Sequence, residues 1–249
     1  MFVRPIAIRD EALSLIAAGI NDCEIARRLG VPRTTVRDWR KPRYIAKRPV
    51  SSRCPRCGER SRPIVLEPGS YAELLGLYLG DGHITQMARS QRLRLFLDAK
   101  YPTIVDEAEA TLHTTFPFNR VGRVVAERGH MVVLWAYSAH LTCVFPQHGE
   151  GKKHHREIAL EAWQRKLVNA APWAFLRGCI RSDGCVFVNR TGRYEYLSYD
   201  FSNYSADILD LVEGTCLALG LRPRRTRYRI RLNRREDVAR LVEHVGRKC

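Results

Sequence analysis

Hydrophobic and polar positions follow two different rhythms along this 249-residue chain. Near the N-terminus Ala12, Leu13, Leu15, Ile16 and Ala17 recur on one helical stripe, which Gly19 closes. A second helix starts at the cap Asn21 or Asp22, turns Ile25, Ala26 and Leu29 inward, and stops before Gly30. Pro32 suits the first turn of a third helix, which runs from Arg33 to about Arg40 with Val36 and Trp39 on its apolar side. From Lys41 to Pro68 the periodicity is lost: Pro42, Pro49, Ser51, Ser52, Pro55, Ser61, Pro63 and Pro68 predict a linker. Farther on the period becomes two. Arg92-Leu93-Arg94-Leu95-Phe96-Leu97 and Arg227-Tyr228-Arg229-Ile230-Arg231-Leu232 each predict a strand with an apolar face and an arginine face. Hairpins are expected over 119–137, broken at Arg128-Gly129, and over 185–201, turning near Thr191-Gly192; a helix is expected over 160–169.

The most apolar helical patterns come as a pair. Leu74-Leu75-Gly76-Leu77-Tyr78-Leu79-Gly80-Asp81-Gly82 is matched by Leu176-Arg177-Gly178-Cys179-Ile180-Arg181-Ser182-Asp183-Gly184, with the two carboxylates 102 residues apart. Small residues stand one turn apart in each copy, Gly76 and Gly80 in the first, Gly178 and Ser182 in the second, so two such backbones can approach closely. A glycine after each Asp is expected where a helix stops and the chain turns. Packed side by side, the helices would bring Asp81 and Asp183 to one end of the pair. Two carboxylates there make a hard, oxygen-rich site for Mg²⁺, an arrangement used in phosphodiester hydrolysis. The repetition continues downstream, where Tyr101 pairs with Tyr204 and Ile104 with Ile208 at offsets of 103 and 104. A repeat this long predicts two similar subdomains about a pseudo-twofold axis.

These motifs resemble those of the LAGLIDADG homing endonuclease family in its single-chain, two-repeat form, over roughly residues 70–249. The resemblance implies an α+β fold of two pseudo-symmetric αββαββα-like repeats with antiparallel DNA-binding sheets. The first repeat would span about 70–150, a connecting loop 145–171, and the second repeat about 172–249. It further implies a monomer that hydrolyses both strands of a long double-stranded DNA target with Mg²⁺, Asp81 and Asp183 holding two or more ions once DNA is bound. Family members usually place a basic residue near the metals. Lys152 and Lys153, in the Gly-punctuated loop from Phe145 to Arg156, are the candidates; a plain inter-repeat linker is the alternative. Arg92, Arg94, Arg227, Arg229 and Arg231 would follow phosphates or bind guanine edges, against the alternative of solvated outer sheet faces.

Ala26, Gly30 and Val36 are spaced as in a helix-turn-helix, where Ala permits close crossing and Gly the sharp turn. Arg33, Thr34, Arg37 and Arg40 would then face a major groove; an ordinary three-helix bundle is the alternative. Domains are expected at 1–48 (helix-turn-helix), 49–69 (basic linker) and 70–249, an order similar to bacterial helix-turn-helix/LAGLIDADG proteins. Charge agrees with a nucleic-acid partner: 42 Lys and Arg against 26 Asp and Glu give +16, of which residues 1–63 supply +9 from 15 basic and 6 acidic side chains. Within the linker, Cys54-Pro55-Arg56-Cys57-Gly58 has the spacing of half a zinc knuckle. Its other half would come from a distant loop, His154 with His155 or Cys143 with His148, unless the thiols are simply reduced in a turn. The 8 cysteines accompany no export signal and no apolar run of membrane length, so a cytoplasmic, nucleoid-associated protein with reduced thiols is expected. The chain begins at Met1 without a splice-junction nucleophile and ends without a His-Asn pair before Cys249, which predicts a free-standing protein and not an intein. Two readings compete with a nuclease: a transcription regulator that keeps the fold without cutting, and an intron-RNA maturase that needs no metal.

Overall fold

Three helices make up the described part of the first of two compact units, which span 1–49 and 50–249. The computed structural model describes residues 6–40 and 52–248. The expected boundary at 48/49, with Pro42, Pro49 and Ser51, lies outside them. Helix α1 (Ile6–Ala17) precedes α2 (Asp22–Leu29), which Asn21 caps by accepting from the backbone N–H groups of Cys23 and Glu24 at 3.1 and 3.0 Å. Gly30 ends α2 in the left-handed region at φ 60°, where glycine carries no Cβ penalty. Helix α3 (Arg33–Trp39) follows, and Ala12, Ile25, Val31, Val36 and Trp39 form a buried core.

The second unit opens with a small hairpin, β1 (Ser52–Arg53) and β2 (Arg60–Ser61), and then runs twice through one element order. The first pass is α4 (Pro68–Asp81), β3 (Gly82–Gln86), β4 (Gln91–Asp98), α5 (Pro102–Thr115), β5 (Val121–Ala126), β6 (Met131–Ser138) and the single turn α6 (Leu141–Val144). After a connecting helix α7 (Ala162–Ala170), the second pass is α8 (Pro172–Asp183), β7 (Gly184–Thr191), β8 (Tyr194–Ser202), α9 (Ala206–Ala218), β9 (Arg224–Thr226), β10 (Arg229–Leu232) and α10 (Arg235–His244). The antiparallel sheets have matching strand orders, β3-β4-β6-β5 and β7-β8-β10-β9. Ile104 and Ile208 hold the same place in α5 and α9, both buried. Tyr101 caps α5, whereas Tyr204 stands one residue before the cap of α9 and is 73 % exposed, so this second pairing joins non-equivalent positions.

The two motif helices form the spine. Every residue of α4 from Tyr71 to Leu79 is buried, as expected of a helix covered on all sides. A Cβ built on Gly178 would lie 2.1 Å from the Glu73 carbonyl oxygen, and one on Gly76 2.5 Å from that of Phe175. The backbones therefore touch where small residues permit it. Glu73, buried in this interface, receives hydrogen bonds from Arg177 and Arg181 at 3.2 and 2.9 Å. The expectation about the glycines after the Asp residues is corrected. Gly82 and Gly184 are extended at φ −88° and −92°, not turned. Glycine is required there by space, since a Cβ would meet Tyr78 Cα or the Ile180 carbonyl at 2.5 Å. The chain passes straight from each helix into a strand.

Candidate active site

That passage from helix to strand positions the carboxylates. Asp81 is the last residue of α4 and Asp183 the last of α8, so each stands where the first strand of its sheet begins. The Asp183 carboxyl lies against the other helix: a Cβ on Gly80 would be 3.2 Å from its Cγ, and 2.2 Å from Ser182 Oγ. Burial and the neighbouring Asp183 charge push the Asp81 carboxyl up to about 7, and burial raises Asp183, which accepts a 2.6 Å hydrogen bond from Asn203 Nδ2. The two half-buried carboxylates stand near enough for the Asp183 charge to act on Asp81.

A lysine stands at each half of the junction. Lys153 Nζ donates to the carbonyls of Tyr78 and Gly80 at 2.5 and 2.9 Å; Lys248 Nζ donates to those of Ser182 and Gly184 at 2.8 and 2.9 Å. Lys153 grips two C-terminal carbonyls of α4, and Lys248 grips the Ser182 carbonyl of α8 with that of Gly184 just beyond it; a cation is favoured at such helix ends. Burial lowers Lys153 to about 8 and lowers Lys248 as well, against the pull of both carboxylates. Lys152, the other lysine singled out in the loop, is exposed at the rim of the basin beside Asp183. Lys248, Asn203 and His83 escaped the sequence reading, and His148 entered it as a zinc candidate and not as a wall of this site; only comparing the ends of the two repeats offered a signal for Lys248.

The surroundings of the carboxylates differ. Asp183 opens onto a cavity of about 560 Å³ walled by His83, His148, Lys153, Arg156 and Tyr204, whereas Asp81 opens onto one of about 240 Å³ bounded by Phe96, Asp98, Tyr101 and Lys248. Each cavity touches its sheet. On β4, Leu93, Leu95 and Leu97 are buried while Arg92, Arg94 and Phe96 share the opposite face. There Arg94 lies across from His83 and Trp135, and Arg92 across from Thr85 and Tyr137. Arg94 donates to Thr85 Oγ1 at 3.1 Å, and the Nε atoms of both arginines are buried without an acceptor among the described residues.

Several expected contact residues are placed otherwise. Arg227 and Tyr228 form the two-residue turn between β9 and β10, so the strand begins at Arg229. Arg231 is held by the buried Asp200 through two hydrogen bonds of 2.7 and 2.8 Å, and Arg229 lies 3.5 Å from the same carboxylate, a cost-lowering arrangement for a buried charge. In the first unit Arg33, Thr34 and Arg37 are exposed on α3, but Arg40 turns back and donates to Asp22 and to the Ile20 carbonyl. Cys54 and Cys57 flank the β1–β2 turn. The ligand-bearing side chains beside them are His140 and Cys143; His148 and His154 instead line the basin at Asp183, away from this cluster. Among the described residues no helix is long and apolar enough to cross a membrane.

A family model described as a homeodomain-like domain matches residues 6–41. No curated protein matches the chain. Among solved structures, I-DmoI in complex with DNA and Mn is similar at a TM-score of 0.50 and 15% identity, over 72% of this chain and 97% of that one. The N-terminal LAGLIDADG domain of DUF199/WhiA is similar at a TM-score of 0.47 and 14% identity over 74% and 84% of the two chains. Full-length DUF199/WhiA from Thermatoga maritima gives 0.49 and 14% over 74% and 57%. The duplicated αββαββα order, the glycine-packed helix pair ending in carboxylates and the match to I-DmoI together give the second unit the LAGLIDADG fold, preceded along the chain by a three-helix unit that the homeodomain-like model matches.

Proposed function

We propose that this protein is a site-specific DNA endonuclease that hydrolyses phosphodiester bonds of double-stranded DNA with Mg²⁺. The observation that carries this reading is the pair of carboxylates Asp81 and Asp183 at the ends of two touching helices, near enough for one charge to act on the other, with a lysine held at each helix end. A divalent cation fits this donor set. It is all oxygen, both carboxyls are raised by burial, and the nearby lysines bond to carbonyls and leave the carboxylates to a metal. Bound there, Mg²⁺ would supply Lewis acidity and a water of lowered pKa. Lys153 and Lys248, fixed beside the junction, stabilise negative charge gathering on phosphoryl oxygens. With its pKa lowered to about 8, Lys153 is also suited to exchange a proton with an attacking or leaving oxygen near neutral pH. Arg92, Arg94 and Arg229 hold the phosphate backbone on the sheet faces, and the net charge of +16 attracts it. The DNA-bound I-DmoI supports this reading through its shared fold.

A second reading, a regulator that binds without cutting, is favoured by the homeodomain-like match over residues 6–41. Selection of a bound site from randomised DNA, followed by nicking and affinity assays in Mg²⁺, Ca²⁺ and EDTA, separates the two. The nuclease cuts in Mg²⁺, binds without cutting in Ca²⁺ and binds more weakly in EDTA. Equal binding in all three with no nicks on a high-affinity site overturns it in favour of the regulator.

The first unit yields its own expectation. Arg37→Ala weakens DNA binding while leaving the melting temperature unchanged, because Arg37 is exposed on α3. Arg40→Ala instead destabilises the unit by about 0.5–1 kcal/mol through the lost Asp22 pair. Thermal melting and fluorescence anisotropy of both variants check the division; equal binding losses at unchanged stability would place Arg40 on the DNA after all.

A further inference from the structure

We propose that Cys54, Cys57, His140 and Cys143 bind one zinc ion, a structural site that staples the β1–β2 hairpin to the end of the first repeat. One ligand atom from each of the four residues lies within 4.8 Å of all the others. They arrive as two half-sites of equal spacing, Cys-x₂-Cys on the hairpin and His-x₂-Cys at the start of α6. That is the composition and spacing of a closed tetrahedral zinc site, and three thiolates with one imidazole exclude a hard, oxygen-seeking ion.

The backbone has the matching shape. Cys54 accepts from the Gly58 N–H at 3.0 Å and donates to the Glu59 carbonyl at 2.8 Å, while Gly58 takes φ 76° to close the turn, so that Cys54 and Cys57 present their sulfurs from one loop. The imidazole is oriented independently of the thiols. His140 Nε2 lies 3.2 Å from the Arg60 carbonyl. A carbonyl can only accept, so Nε2 carries the proton and Nδ1 presents its lone pair. That lone pair faces Cys57 Sγ at 3.3 Å and Cys143 Sγ at 3.9 Å. A ligand histidine whose far nitrogen is held by a backbone carbonyl is the usual outer shell of a zinc site.

The site also answers a question of stability. Strands β1 and β2 are two residues each, and a two-stranded ribbon of that size does not hold itself together in water. Cys54 is its contribution to the main core, with Ile64 following just after β2. Zinc would supply the missing cohesion.

Metal analysis of the full-length protein, purified without added metal or chelator, tests this directly. One zinc per chain is expected, and Co²⁺ exchanged into the site should give the visible bands of a tetrahedral thiolate-rich centre. Cys57→Ser and Cys143→Ser should each lower zinc at least tenfold below one equivalent, whereas Cys185→Ser, an exposed thiol elsewhere, should retain it. His140→Cys should keep the metal by supplying a fourth sulfur in place of the imidazole, which guards against variants that merely unfold. Protein without zinc, iron in its place, or zinc that survives Cys143→Ser would overturn the proposal. None of these outcomes depends on whether the protein cuts DNA.

Discussion

Asp81→Asn removes DNA cleavage by about 10³-fold or more, some 4 kcal/mol of transition-state stabilisation, while DNA affinity is unchanged or higher. On the proposed function the variant loses an oxygen that would bind metal and a negative charge that would face phosphate, and Asp183→Asn should behave alike. Cleavage rates and binding measured on one target check this, and parallel losses of both in a folded variant would remove the carboxylates from the chemistry. The same substitution has a signature in stability. An Asp in an unfolded chain titrates near 3.9, whereas burial and the Asp183 charge bring Asp81 to about 7 in the fold. The folded state therefore binds the extra proton. Its stabilising contribution is complete below about pH 4 and is lost as pH rises through 7. Three pKa units at about 1.4 kcal/mol each bound the effect at roughly 4 kcal/mol. In EDTA, Asp81→Asn should thus melt above the unaltered protein at pH 8, with the gap shrinking toward pH 4. A gap independent of pH would mean that Asp81 is not confined as described.

Gly178→Leu abolishes folding of the second unit, and even Gly178→Ala costs about 3 kcal/mol or more. The neighbours of the added Cβ are main-chain atoms, the Glu73 carbonyl oxygen at 2.1 Å and the Leu77 nitrogen at 2.9 Å. Neither can rotate aside as a side chain would, so the motif helices must separate. Separation also exposes Glu73 and moves Asp81 from Asp183, so stability and cleavage fall together. Gly214, an exposed glycine in α9 with nothing near its Cβ position, is the control, and Gly214→Ala should stabilise by about 0.5–1 kcal/mol. Chemical denaturation of the three variants measures the contrast. A wild-type midpoint for Gly178→Ala would rule out the touching backbones.

The duplicated motif, the small residues of the helix interface, both carboxylates and the three-helix N-terminal unit are legible along the chain. Those features are local: a period of 3.6 or 2, a glycine before a turn, an Asp at the end of an apolar run. The sequence also singled out Lys153, though it could not separate it from Lys152, because both lie in a loop without periodicity and only the fold turns one toward the helix end. Lys248 and Asn203 were illegible for the same reason. Each reaches Asp183 or its helix from a segment whose own pattern says nothing about that distance. His140 was passed over beside Cys143, since a ligand set split between residues 54 and 143 becomes one cluster only when the hairpin folds onto α6. Arg231 and Arg40 had the right charge at the right period, yet Asp200 and Asp22 claim them. Pattern along a chain records which face a side chain occupies. Which partner it meets there depends on contacts between residues distant in sequence, and those exist only once the chain has folded.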